Sequence, residues 1–223
     1  MSDQLPFSFN EEPSSGLITS PENELAIKWV KNWPHWPKPS QFLNIFGPPA
    51  SGKSFLGRFH SENSGGTIIT SLTNWCPGEF NGKHLILDEV SLTKNWSEEA
   101  LFFLYQSVTG VGGTVLILSK KPISAMSWKL DDLRSRFRSI HALEILPLSE
   151  KSVKPLLEYH FTLRQCSVSP TVLNFLLPRV RREYLYIRKL AYEIDELSLR
   201  LKQAVTIRLV KKVLIKMSRE SLE

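Results

Sequence analysis

Apolar and β-branched residues cluster in five short runs, at 42–46, 67–70, 84–87, 114–118 and 142–146, and stretches with helical spacing separate them. Parallel neighbours need a right-handed crossover between them, so this alternation predicts a parallel sheet covered by helices on both faces. The clearest crossover helix is 97–108, where Leu101, Phe102, Leu104 and Tyr105 share a face. An earlier helix is predicted over 22–32 from Leu25, Ala26, Trp29 and Val30, and Pro34, Pro37 and Pro39 stop it. Beyond a hinge at 147–151 the pattern turns helical throughout, with four helices expected at 151–162, 169–177, 182–202 and 206–217 and with Pro170 and Pro178 at boundaries. Three regions follow from this reading: an extended arm over 1–21, an α/β domain over 22–147 and a helical module over 148–223. The arm holds Pro6, Pro13 and Pro21 and lacks a core of its own, yet its segment Gln4-Leu5-Pro6-Phe7-Ser8-Phe9 is too apolar for an idle tail.

Composition narrows the class without changing the architecture. Of 223 residues, 42% are hydrophobic and 22% charged, the balance of a soluble globular protein, and no apolar run is long enough to span a bilayer. The first ten residues lack the charged, apolar and small-residue order of a secretory signal. Cys76 and Cys166 stand far apart without metal-ligand spacing, which fits reduced thiols and a cytoplasmic location. The net charge of +6 makes nucleic acid a candidate partner, but its placement is uneven. Residues 151–223 carry 15 Lys/Arg against 7 Asp/Glu, a balance of +8, and residues 1–150 carry 13 against 15, a balance of −2.

The chemistry concentrates after the first strand. Gly47-Pro48-Pro49-Ala50-Ser51-Gly52-Lys53-Ser54 fits the pattern Gly-x4-Gly-Lys-Ser/Thr between that strand and an apolar stretch, 55–59, that opens a helix. In such a loop backbone amides wrap phosphates and the helix N-terminus adds partial positive charge. Gly52 permits close approach, Lys53 reaches the β- and γ-phosphates, and Ser54 offers its hydroxyl to Mg²⁺. Leu85-Ile86-Leu87-Asp88-Glu89 supplies a buried strand ending in two carboxylates: Asp88 to hold the metal through water, Glu89 to orient or deprotonate an attacking water. Ser119 would lie near the γ-phosphate and Asp88 if its strand neighbours the loop strand; otherwise it is an ordinary strand-capping serine.

Further along come Leu133-Arg134-Ser135-Arg136-Phe137 and a basic stretch over 182–190. The order of phosphate loop, Asp-Glu strand, Ser-ended strand, Leu-x-Ser-Arg-Phe box and basic helix resembles the DnaA-related branch of AAA+ ATPases over nearly the whole chain. Trp33-Pro34-His35-Trp36-Pro37 and Val205-Thr206-Ile207 are similar to those proteins as well. The resemblance implies an α/β AAA+ P-loop core with a small C-terminal all-α lid domain, binding ADP or ATP with Mg²⁺. It implies that Arg136 is an arginine finger offered to nucleotide on a neighbouring subunit, and that Arg182, or Arg181 or Arg179 if the helix register slips, contacts the chain's own nucleotide. A solvated basic turn of Arg134, Arg136 and Arg138 is the alternative for the finger.

The resemblance also gives the arm a role, since Gln4, Leu5, Phe7 and Phe9 are similar to the peptide that docks replication proteins on the DNA polymerase sliding clamp. The implied partners are that clamp and the AAA+ domain of the initiator DnaA, with DNA contacted only indirectly or weakly, no membrane, and self-association through the arginine-finger face as a further possibility. The implied activity is promotion of hydrolysis of DnaA-bound ATP, a negative regulation of initiation, with slow turnover of its own. Two other readings remain open at this level: a DNA-binding accessory protein using the basic lid, and an autonomous AAA+ ATPase. Ala50 stands where many relatives have glycine, and Leu118-Ser119-Lys120 departs from the commoner Thr-Ser or Thr-Gly ending. Trp29, Trp33, Trp36, Trp75 and Trp96 are expected to pack rather than stack on bases, and Lys211, Lys212 and Lys216 to form the solvated face of a helix.

Overall fold

A computed structural model describes residues 17–36, 41–74 and 84–220. The clamp-like peptide Gln4, Leu5, Phe7 and Phe9 lies outside the described residues, as do Pro37, Pro39, Trp75 and Cys76. The described residues fall into two compact units that divide between Leu146 and Pro147.

The first unit opens with helix α1 (Glu24–Lys31) and then alternates strands and helices: β1 (Phe42–Phe46), α2 (Lys53–Ser64), β2 (Thr67–Ile69), β3 (His84–Val90), α3 (Glu98–Gly110), β4 (Thr114–Ser119), α4 (Asp131–Arg138) and β5 (His141–Glu144). Among the described residues these five strands pair in parallel, in the order β2-β3-β4-β1-β5. The chain leaves β1 for the far edge, returns strand by strand to β4, and places β5 on the other side of β1. Such an order opens a crevice beyond the carboxyl ends of the central strands.

Period-two alternation splits the buried side chains into two layers. Phe42, Leu85, Leu87, Val115 and Ile117 face one way and meet Leu101, Leu104 and Val108 of α3 and Leu133 and Phe137 of α4. Leu43, Ile45, Ile86, Leu116 and Leu118 face the other way and meet Ala26, Ile27 and Val30 of α1 and Leu56 and Phe59 of α2. Every residue of β4 is buried, as expected for a central strand covered on both faces. Helix α2 lies close to the sheet because Gly57 lacks a side chain: a Cβ there would stand 2.7 Å from Leu118 Cδ1 and 3.2 Å from Ile86 Cγ2. Ser97 caps α3 by accepting a hydrogen bond from the Ala100 amide at 3.1 Å. The Glu98 carboxylate accepts from the amides of Lys129 (3.1 Å) and Leu130 (2.7 Å), which ties the start of α3 to the entry of α4.

Four strands differ in extent from their sequence patterns, β4 only by including Ser119 at its end. Strand β3 runs through Asp88 and Glu89 to Val90, and its register against β4 shifts between Leu87 and Val90. Strand β5 ends at Glu144; beyond it the Ile145 amide still donates to Phe46 O, and the Leu146 amide turns to Glu22 O. Strand β2 stops one residue earlier than its apolar run. Helix α4 is an addition, since its eight residues bury only Leu133 and Phe137 and leave a weak apolar signature.

The second unit is helical: α5 (Glu150–Leu163), α6 (Pro170–Leu176), α7 (Tyr184–Leu201) and α8 (Ile207–Glu220). Ser169 caps α6, with Pro170 in its first turn where no amide is needed. The core is built from Leu156, Leu157, Leu176, Ile187, Leu190, Ala191, Ile194, Val210 and Val213. None of the described helices is long and apolar enough to cross a membrane.

Each unit buries a histidine. His60 stacks on Trp36 with centroids 5.4 Å apart, and burial, then the neighbouring His84, lower its pKa to about 4. In the second unit, burial and then the charges of Arg164 and Arg188 lower the His160 pKa to about 4. The unfolded chain takes up both protons near pH 6.5 while the fold refuses them until about pH 4, so stability present above pH 6.5 is lost as pH falls between these values. Each histidine should remove about 1.4 kcal/mol per pH unit in that window. Urea unfolding at pH 7 and pH 5 should reveal the loss, and a His60→Phe variant should show a shallower decline; equal stabilities at the two pH values would contradict the assignment.

Candidate functional site

The loop between β1 and α2 begins at Gly47, where a Cβ would collide with the backbone carbonyl oxygen of Ile145. The Gly47 amide donates to Ser119 O at 3.3 Å, which fixes the start of the loop to the end of β4. Ala50 and Gly52 both take the left-handed conformation, with φ of 58° and 93°. Left-handed residues set within a turn produce the concave run of amides that anion sites use. At Ala50 this conformation costs about 1 kcal/mol, because a Cβ approaches the following carbonyl. At Gly52 no heavy atom lies within 4 Å of where a Cβ would stand, so the face of the loop at the helix start is open.

Lys53, the first residue of α2, folds its ammonium onto the loop and donates to Gly47 O (2.8 Å), Pro48 O (2.7 Å) and Ser51 Oγ (3.2 Å). These three bonds use its full donor capacity. Burial lowers the Lys53 pKa; Asp88 and Glu89 oppose that shift, and Lys120 adds to it. Next in the helix, Ser54 Oγ donates to Asp88 Oδ1 at 3.2 Å, which joins the loop helix to β3. A hydroxyl and a carboxylate at this separation are hard oxygen ligands of the kind Mg²⁺ accepts when phosphate and water complete its shell, so the pair fits the predicted metal. Asp88 is half-buried and Glu89 exposed. Glu89 sits on the register shift with a φ of 61°, and a bulge of this kind re-aims a side chain at the rim of a sheet. No sequence signal announces it.

Strand β4 does lie beside the loop strand: Ser119 pairs in register with Phe46 on β1 and with Val90 on β3. Its hydroxyl is already committed. Ser119 is 1% exposed, and its Oγ accepts from Asn44 Nδ2 at 2.9 Å and donates to Lys121 O at 2.7 Å. Asn44, fully buried in β1, also donates to Ile117 O at 3.0 Å and accepts from the Ile123 amide at 3.0 Å. This asparagine escaped the sequence reading, although a lone polar residue inside Phe-Leu-Asn-Ile-Phe is a legible signal, since a buried amide must find partners.

Arg136 is exposed near the end of α4, with its guanidinium carbon 5.6 Å from the Phe102 ring centroid and 5.1 Å from that of Tyr105. Tyr105 in turn stacks on Phe42 at 4.4 Å. Arg134 pairs with Asp131 one turn earlier. Arg136 thus lies on a helix beside aromatic rings of α3, with its side chain still exposed to solvent. In the helical unit Arg182 precedes α7 rather than lying within it, and donates to Glu150 Oε2 at 3.2 Å with both side chains exposed. Arg181 lies over Tyr186 at 5.5 Å, and Arg179 over Phe175 at 4.0 Å.

No family model matches the chain. An uncharacterized protein of Haemophilus influenzae is 30% identical over 118 residues, which is 52% of this chain and 51% of that protein. The chain thus spans about half the length of this relative. Among solved structures it is similar to domain III of the replication initiation protein DnaA from Thermotoga maritima, with a TM-score of 0.71 at 17% identity over 89% of this chain and 93% of that one. A replication initiator DnaA bound to AMPPCP and single-stranded DNA gives 0.68 at 18% identity, covering 86% and 69%. The Thermotoga maritima RuvB Holliday junction branch migration motor gives 0.60 at 17%, covering 78% and 60%. With its five parallel strands, a Gly-x4-Gly-Lys-Ser loop after the first and a helical unit at the C-terminal end, the chain has the AAA+ fold in its DnaA-like form.

Proposed function

We propose that this chain is a nucleotide-binding regulator of replication initiation, similar to Hda, the regulatory inactivator of DnaA. In this reading it docks on the sliding clamp through Gln4, Leu5, Phe7 and Phe9, pairs with ATP-bound DnaA and promotes hydrolysis there. The observation that carries it is the arrangement of Arg136: an exposed guanidinium on the α/β unit, lodged on Phe102 and Tyr105 and free of a carboxylate partner among the described residues. A guanidinium offered from outside neutralises charge on a transferring phosphoryl group, and it does so best when its position is set in advance.

The chain's own loop then serves to bind ADP or ATP. Lys53 exchanges Gly47 O and Pro48 O for phosphate oxygens, and the amides from Ala50 to Ser54 donate to the same anion. Ser54 and Asp88 would hold Mg²⁺, which when bound neutralises charge on the phosphate oxygens. Glu89 orients water at the terminal phosphate. Mixing the purified chain with clamp and ATP-loaded DnaA should raise phosphate release well above that of DnaA alone, and omitting the clamp should remove most of the increase. Release unchanged by the chain would overturn the regulatory reading.

A further inference from the structure

We propose that the solvent face of α7 is a docking surface for a second copy of this chain, with the two helices antiparallel across a two-fold axis at Tyr192. The surface lies wholly in the helical unit and is independent of nucleotide binding at the Gly47–Ser54 loop. Three large apolar residues stand on it: Leu185 is 55% exposed, Tyr192 45% and Leu199 66%. They follow one another at intervals of seven residues, close to two turns, so they form one stripe about 21 Å long. The opposite face of α7 is already used, since Ile187, Leu190, Ala191 and Ile194 are buried in the unit's core. A seven-residue apolar stripe left in solvent has the spacing of the seam between two paired helices.

Charge decides both the occupant and its direction. Between the apolar residues lie Arg188, four residues before Tyr192, and Glu196, four residues after it, and both are exposed. Eight residues hold them about 12 Å apart along the axis, too far to pair with each other in one helix. Among the described residues neither takes part in a hydrogen bond or ion pair. The exposed pattern is therefore symmetric in shape about Tyr192 and opposite in sign. Laid antiparallel on its own copy, Leu185 meets the partner's Leu199, Tyr192 meets the partner's Tyr192, and Arg188 meets the partner's Glu196, each unlike contact occurring twice. Laid parallel, the same helices set Arg188 on Arg188 and Glu196 on Glu196, and like charges reject that arrangement.

Lys189 and Asp195 stand three residues either side of Tyr192 with the same reversal of sign, but both already hold partners inside the chain, Cys166 in the case of Asp195. Recognition between copies thus falls to Arg188 and Glu196. The Arg164 guanidinium lies 5.1 Å from the Tyr192 ring centroid and steadies the residue on the axis. A single helix pair of three layers is at the small end of specific interfaces, which predicts a dissociation constant on the order of 10 µM rather than a permanent dimer.

The test is sedimentation equilibrium of the full chain across the micromolar range, with circular dichroism to show that each variant is folded. Arg188→Glu and Glu196→Arg should each weaken the dimer roughly tenfold or more, because like charges then face each other at both symmetric contacts. The double variant carrying both changes restores unlike pairs and should return the dissociation constant to within about threefold of the unaltered chain. Leu199→Gln should weaken association without touching the charges. A chain that stays monomeric at hundreds of micromolar, or a dimer indifferent to the single charge reversals, would overturn the inference. A double variant as weak as either single one would overturn the antiparallel pairing, and an association lost only in Arg136→Ala would place the contact on α4 instead and overturn it as well.

Discussion

Changing Arg136 to alanine should leave folding and nucleotide binding intact and remove about 10³-fold or more of the stimulation of DnaA-bound ATP hydrolysis. The two halves of that expectation have separate physical sources. Arg136 is exposed, and its contacts with Phe102 and Tyr105 are cation–π interactions worth about 0.5–1 kcal/mol at such a site, so losing them shifts stability little. The stimulation, by contrast, depends on a delocalised, permanently charged fork meeting developing charge on a phosphoryl group. An Arg136→Lys variant keeps the charge but loses the planar, stacked geometry, so it should rescue poorly. Phosphate release in single-turnover assays with ATP-loaded DnaA reads the effect. Full stimulation by Arg136→Ala would remove the finger and leave Arg136 as a surface cation on an aromatic shelf.

The second large effect belongs to Lys53. Replacing it with alanine should weaken ADP and ATP alike by about 10²-fold, because one ammonium contacts oxygens that both nucleotides share. The same variant strips Gly47 O, Pro48 O and Ser51 Oγ of their common donor. Those acceptors line an open loop where water can replace the ammonium, so the melting temperature should change far less than the affinity. Competition against a fluorescent adenine nucleotide measures both constants. Retained binding in Lys53→Ala would mean that phosphate is held elsewhere.

Where an element is set by local pattern, the sequence announced it. The parallel sheet followed from five apolar runs separated by helical spacing, and β1 and the four C-terminal helices fall close to their expected limits. The turn between β1 and α2 was legible because glycine, lysine and serine occur at fixed offsets between a strand and a helix. Long-range facts were not legible. Strand order decides whether Ser119 stands beside the loop, and no local pattern encodes that order. The left-handed conformation of Glu89 and the register shift beneath it arise from how β3 meets β4, so Asp-Glu looked like a plain strand end. Asn44 was visible as an oddity, yet its role required knowing that Ser119 and Ile123 lie within its reach. Arg136 could be singled out by motif, but the aromatic shelf beneath it belongs to α3, and α4, which carries Arg136, has too few apolar positions to be seen in advance.

Calorimetric titration of the unaltered chain with ATP or ADP in the presence of magnesium tests the central claim most directly. A saturable heat at one nucleotide per chain, diminished strongly in Lys53→Ala, is the predicted result. No heat at millimolar nucleotide, with the chain folded, would mean that the Gly47–Ser54 loop does not hold phosphate and that the functional reading built on it is wrong.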